Sequence, residues 1–318
     1  MSLIDEYKAS LKSMDTEEHI DLYFYRPLGF LWAKLFAWLG VTPNVVTIIS
    51  IFLGVAGGCL LYYGQPELAW VNWVGMLLIV WANTYDSADG QLARLTKQYS
   101  RLGRILDGLS GDFWFVAICV ALVLREVDFG DALLGSFFRE HQWMIWTMAV
   151  VSGISHAKQA ASADYYRQFH LYFLKGEQGS ELDSTVQLRP QFEAMSWSKD
   201  FWSKLTAWGY LGYTAQQEAF SPSMQRLRAI LRERYGTAEA IPMEFRQWFR
   251  QQSLPLMKYT NMLSFNTRTI AMFISVIINV PWLYFAFEIV VLNLMLVYMT
   301  LRHEAICRRA IARLSASE

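Results

Sequence analysis

Three carboxylates in one short stretch carry most of the chemistry this sequence offers. Residues 86–112 read DSADGQLARLTKQYSRLGRILDGLSGD. Asp86, Asp89 and Asp107 stand at the ends of otherwise apolar runs: residues 73–85 are almost wholly apolar, and residues 113–124 hold no charge. Carboxylates in such surroundings are costly and persist only with a strong partner. Asp86 and Asp89 are three residues apart and so share one face of a helix. Gly90 and Ala93 remove bulk beside them, leaving room for a ligand or a neighbouring helix. Arg94 is the first cation after the pair, and Gly103 with Asp107 repeats the small-then-acidic pattern on the next helix. Three carboxylates converging from two helices suit Mg²⁺ or Mn²⁺, which prefer oxygen ligands. Such an ion in turn suits a diphosphate.

The elements that must position these groups are membrane helices. Hydrophobic types make up 54% of the 318 residues, and the charged residues are few and clustered, the profile of a membrane protein with hydrophilic loops. The formal net charge is zero, which argues against a nucleic acid or other polyanionic partner. Cys59, Cys119 and Cys307 are scattered, with no disulfide or metal-binding spacing. The polar start, MSLIDEYKASLKSMDTEE, has no apolar core of a cleavable signal, so the first spanning helix is expected to target the chain.

The pattern Asp86-x-x-Asp89-Gly90-x-x-Ala93-Arg94, eight residues, Gly103-x-x-x-Asp107 resembles the signature of the CDP-alcohol phosphotransferases. The resemblance implies an integral membrane enzyme that moves a phospho-alcohol from a CDP-linked donor to a hydroxyl acceptor. It further implies Asp86, Asp89 and Asp107 as metal ligands, Gly90, Ala93, Arg94 and Gly103 beside the donor, and a homodimer. Thr42-Pro43-Asn44-x-x-Thr47 resembles the family's entry into its first span, which implies a nucleotide contact for Asn44 and Thr47; capping alone explains Thr42 and Pro43. One departure stands out. The family's fourth aspartate, its usual candidate for the base, falls on Gly111, and an aspartate follows one residue later at Asp112. One residue is a rotation of about 100° on an ideal helix. Asp112 would need a π-bulge, near Gly108 and Gly111, to reach the same place. His156 is the rival base, since a neutral imidazole suits the task.

Six spans are expected, over residues 43–63, 68–95, 103–124, 143–165, 263–280 and 281–301, each close to the 20 residues a bilayer requires. The predicted fold is therefore an all-α integral membrane bundle of six transmembrane helices, with an N-terminal juxtamembrane amphipathic helix and a cytosolic helical insertion. Its parts are residues 1–41, juxtamembrane; 42–165, spans one to four with the motif; 166–258, the insertion; 259–303, spans five and six; and 304–318, the tail. In the first part Leu3, Ile4, Tyr7 and Leu11 recur at helical spacing beside Lys8 and Lys12, as on a surface helix. The aromatic-rich residues 21–40 read as a helix along the interface.

Arg94, Lys97, Arg101 and Arg104 lie in or beside the connection between the second and third spans, and Arg302, Arg308, Arg309 and Arg313 lie in or near the tail. Counting basic residues puts both termini and the aspartates on the cytosolic side. Residues 125–141, with four acids and two arginines, are expected to be a polar loop. In the insertion, residues 223–234 read as a basic amphipathic helix burying Met224, Leu227, Ile230 and Leu231, and residues 195–213 hold Trp197, Trp202 and Trp208, suited to a membrane surface. Its role is open between acceptor choice and an oligomer contact. Arg268 opens the predicted fifth span and suits either a substrate phosphate or snorkelling to the headgroups; Glu288 and Asn293 lie within the sixth. The donor and acceptor stay open: CDP-diacylglycerol with a small polar alcohol such as an inositol, or a CDP-linked headgroup with a lipid hydroxyl. A non-catalytic lipid- or metal-binding scaffold is the third alternative.

Overall fold

The computed structural model describes residues 3–10, 13, 15–180 and 182–316, with the side chains of all of these except 3, 4, 8, 9, 101, 102, 104, 105 and 178. The described residues form helices and no strand. The chain divides into two compact units. The first is Met1–Ile154 with Asn266–Ile289, and the second is Ser155–Phe265 with Val290–Glu318.

In the first unit, α1 (Leu3–Ser10) and α2 (Arg26–Trp38) precede three long helices, α3 (Pro43–Leu60), α4 (Ala69–Thr96) and α5 (Arg101–Phe129). Residues 21–40, expected to be helical, form a π-turn at Asp21–Tyr25 that continues into α2. Pro43 opens α3 at a position where a missing N–H costs nothing, and Thr42 is extended there, although its side chain makes no capping bond. In the expected stripe of α1, Leu11 and Lys12 and the side chains of Leu3, Ile4 and Lys8 lie outside the described residues. Tyr7 packs edge-on against Phe30 and donates to the carbonyl of Leu22 at 3.3 Å.

Glycine sets how closely the long helices approach. A β-carbon on Gly57 would meet the Gly75 carbonyl at 2.7 Å, and one on Gly75 would meet the Gly57 carbonyl at the same distance. Gly54 and Gly58 receive Trp114 and Ile118 in the same way, so α3 holds both α4 and α5. Gly57→Val is expected to lower the melting temperature sharply, because the obstacle is backbone and cannot rotate aside; overpacking of this kind costs about 1–3 kcal/mol or more. Thermal unfolding in detergent is the measurement.

Among the described residues, four helices are long and apolar enough to cross a membrane: Pro43–Leu60, Pro66–Thr96, Leu106–Phe129 and Trp282–Ser315. Their outward residues, such as Phe52, Leu77 and Val116, are exposed in the isolated chain, as lipid-facing side chains must be. The predicted fourth and fifth spans fall on different kinds of helix. α7 (Gln142–Lys175, after the single turn α6, Phe137–Glu140) has its apolar run diluted by His156, Lys158 and Gln159. α12 (Phe265–Ile277) has only 13 residues, about 20 Å.

The polar loop expected from Arg125 onward begins later. α5 continues to Phe129 and buries Arg125, whose guanidinium donates to Leu61 O at 3.0 Å, Asn72 Oδ1 at 3.1 Å and Asn279 Oδ1 at 2.9 Å. Three acceptors at helix ends meet its two Nη groups, while its Nε is buried without a partner.

The second unit holds α8 (Thr185–Ala194), α9 (Phe201–Ala219), α10 (Pro222–Tyr235), α11 (Met243–Met262), α14 (Asn293–Ser315) and the part of α7 from Ser155 onward. α10 buries Met224, Leu227 and Leu231, as its periodicity predicted, whereas Ile230 at the edge of that side is only half-buried. α12 returns to the first unit. It is followed by α13 (Trp282–Ala286), a π-turn at Phe287–Leu292, and α14 (Asn293–Ser315).

Candidate metal and nucleotide site

A four-residue turn joins α4 to α5. Lys97 ends α4 in the left-handed region (φ 56°), and the Ser100 hydroxyl caps α5 by accepting from Gly103 N at 2.8 Å. Asp89 lies seven residues before the end of α4 and Asp107 six residues after the start of α5. Both therefore stand about 10 Å from the turn. Oxygens of Asp86, Asp89 and Asp107 lie within 4.8 Å of one another. Asp89 is buried, Asp86 half-buried and Asp107 exposed, so the group has a floor and an open rim.

Two hydroxyls orient the deeper carboxylates. Thr47 on α3 is buried and bonds to Asp89 Oδ2, sharing its proton with the Pro43 carbonyl. Ser110 on α5 donates to Asp86 Oδ1 at 2.7 Å and lies 2.9 Å from its own helix's Asp107 carbonyl. Ser110 escaped the reading of the sequence; its only signal was its place three residues after Asp107 on the same face. The hydroxyls bring no charge of their own, and an all-oxygen set fits a hard divalent cation such as Mg²⁺ or Mn²⁺. Outer partners of this kind typically change metal affinity 10–100-fold. Ser110→Ala is therefore expected to weaken Mn²⁺ binding by about that factor without unfolding the protein, read by Mn²⁺ titration followed by electron paramagnetic resonance.

The remaining predicted residues take varied places. Asn44 accepts from Ser100 Oγ at 3.1 Å, and a β-carbon on Gly103 would meet Asn44 Oδ1 at 2.4 Å, so Gly103 is the residue that lets α5 start against α3. A β-carbon on Gly90 would meet only the Arg94 guanidinium, at 3.5 Å, which is ordinary contact. Packing within the chain therefore does not demand glycine there. Ala93 is half-buried. Arg94 Nε donates to Ser10 O at 2.5 Å, so the N-terminal segment holds the motif arginine.

Arg26 on α2 approaches the same face. Its Nε pairs with Glu17 Oε2 at 2.9 Å, and its Nη1 lies 3.4 Å from Ser87 Oγ, between the two motif aspartates in sequence.

α5 is α-helical without interruption, so it has no π-bulge at Gly108 or Gly111. Asp112 is exposed and stands outside the group of three. A β-carbon on Gly108 or Gly111 would meet nothing, which marks that face of α5 as open. His156 is half-buried on α7 in the second unit. Arg268 is committed to Glu288 in a buried ion pair of 2.6 Å. Asn293 bonds to Gln159 and Ser155, each at 2.9 Å.

Residues 40–167 match the CDP-alcohol phosphatidyltransferase family. The stretch includes the whole aspartate group and its two hydroxyls. Among similar proteins is a CDP-diacylglycerol–glycerol-3-phosphate 3-phosphatidyltransferase of Cereibacter sphaeroides, 34% identical over 84 residues, 26% of this chain and 35% of the relative. Choline/ethanolaminephosphotransferases 1 and 2 of Arabidopsis thaliana are 31% and 30% identical over 90 residues, 27% of this chain and 23% of each relative. The match thus spans about a third or less of these relatives. No solved structure matches significantly.

Proposed function

We propose that this chain is an integral membrane transferase of phospholipid synthesis, moving a substituted phosphate from a CDP-linked donor to a hydroxyl acceptor and releasing CMP. The observation that carries the reading is the convergence of Asp86, Asp89 and Asp107 from two helices within 4.8 Å, inside the matched domain. These three would hold Mg²⁺ or Mn²⁺, and a bound ion would supply charge neutralisation at the diphosphate. The open face at Gly90 and Ala93 admits the cytidine half, with Asn44, Thr47 and Gly103 forming the adjacent wall. Arg94, and with it Arg268, is assigned to substrate binding only if donor binding releases it from its present partner. The acceptor oxygen attacks the β-phosphorus and the bond from that phosphorus to the bridging oxygen breaks. CMP leaves with the bridging oxygen, and the acceptor's proton passes to His156 or, since α5 has no bulge to bring it into the family base's place, through one water to Asp112. Positive-inside counting supports cytosolic termini and a site near the cytosolic surface. A homodimer is the assembly in keeping with the family resemblance.

CDP-diacylglycerol with a small polar alcohol of inositol or glycerol-phosphate type is the favoured pairing, and the Cereibacter relative's name is of that kind. The Arabidopsis names favour the second reading, transfer of a CDP-linked headgroup to a lipid hydroxyl such as diacylglycerol. CMP release by the purified protein with Mn²⁺, across both donor classes, separates the two. No release with any donor would favour the non-catalytic scaffold. Asp112→Asn and His156→Gln, compared in the same assay, identify the base as the one whose loss lowers turnover about 10²–10⁴-fold.

A further inference from the structure

α9 is built inside out. Its protein-facing side is polar: Thr214 and Gln217 are buried, Gln217 Nε2 donates to Ala161 O at 2.9 Å, and Tyr213 donates to Asp164 Oδ2 at 3.1 Å. Its outward side is apolar. Phe201, Trp202, Leu205 and Trp208 fall at spacings of one, three and four residues and are all exposed, Trp202 at 75% and Trp208 at 61%. Gly209 and Gly212 continue that side, and nothing lies within 4 Å of a β-carbon placed on either. Single exposed apolar side chains are ordinary, whereas a contiguous face of this kind marks an interaction surface.

Contacts inside the second unit say what covers the face. α9 runs directly into α10, and Ser223 N at the start of α10 donates to Glu304 Oε2 on α14 at 2.9 Å. Glu304 is three residues beyond Leu301, the last exposed apolar residue of the Trp282–Ser315 candidate span. Three residues are about 4.5 Å of helix, so the C-terminal end of α9 is pinned where that span leaves the hydrocarbon. The exposed lipid-facing row on α14, Leu294, Val297 and Leu301, therefore ends where α9 begins its approach. Trp and Tyr rings with lysines beside them are the composition of the headgroup level. Here Lys204 lies over the Phe192 and Trp197 rings at 4.8 and 5.4 Å and donates to Met195 O.

We propose that α9 is a monotopic anchor lying in the bilayer interface, with Phe201, Trp202, Leu205 and Trp208 sunk among the acyl chains and its polar side turned to the protein. The inference is independent of the catalytic reading.

The test uses the full chain in phosphatidylcholine–phosphatidylglycerol vesicles, with Cys59→Ser, Cys119→Ala and Cys307→Ala as background. Spin labels are attached through Trp202→Cys, Leu205→Cys or Trp208→Cys, with Ser203→Cys as the control on the polar side. Collision with oxygen relative to a water-soluble nickel chelate is expected to be several-fold higher at the first three than at the control. Equal nickel access at all four positions overturns the proposal, since the helix then lies in water. Loss of both kinds of collision at 202, 205 and 208 also overturns it, because a protein surface or a second copy then covers the face. If the cysteine-replaced background does not fold, Trp202→Phe with Trp208→Phe in the otherwise native chain decides instead. The emission lost should be emission that brominated phospholipid quenches, and quenching of it by aqueous acrylamide instead sinks the proposal.

Discussion

Asp89→Asn is expected to lower CMP release by more than about a hundredfold while leaving the protein folded. Loss of an outer partner typically costs 10–100-fold in metal affinity or activity, and removing a ligand itself costs more. The substitution keeps shape and hydrogen bonding, since the amide oxygen can still accept from Thr47. What it removes is one negative charge from the buried floor of the site. An asparagine in that buried place has no charge to desolvate, so thermal unfolding should be no lower than in the wild type. Unchanged CMP release from a folded Asp89→Asn protein would show that the aspartate group is not the reaction centre.

Removal of divalent cations is expected to be as severe. EDTA treatment should abolish CMP release, and Mg²⁺ or Mn²⁺ should restore it. Ca²⁺ should restore it poorly, since it takes 6–8 ligands at 2.3–2.6 Å where Mg²⁺ needs near-octahedral geometry at about 2.0–2.1 Å. A readout without turnover is available. Without a cation, three carboxylates face one another within 4.8 Å. A ligand that binds only the folded state raises stability by mass action, about 2.7 kcal/mol at a hundred times its dissociation constant. Mn²⁺ should therefore raise the melting temperature of the wild type and raise it less in Asp89→Asn. Equal shifts in both proteins would place the ion elsewhere.

Much of this was legible in the residue order because the relevant rules are local. Asp86 and Asp89 share a face through helical spacing alone, and a four-residue turn brings Asp107 back to their level. The periodic apolar residues of α10 announced its buried side. The same spacing rule says nothing about how far one helix is rotated against the next. That rotation is set by contacts between segments far apart in the chain, the close crossing of Gly57 and Gly75 among them. So only the tertiary structure shows Ser110 reaching Asp86, Thr47 reaching Asp89, and the N-terminal carbonyl of Ser10 on Arg94.

Isolated charges carry no local signal of where they end up. Arg125 resembled the start of a loop, and Arg268 resembled either a ligand for phosphate or a snorkelling side chain. Each is buried because distant acceptors meet it, three oxygens in one case and Glu288 in the other. By itself the sequence determined the membrane character, the acidic motif and the helix hairpin that carries it, since these follow from composition and period. Which hydroxyl holds which carboxylate, and which charges are spent inside the protein, was decided by packing, because burying a charge is possible only where the fold supplies its partner.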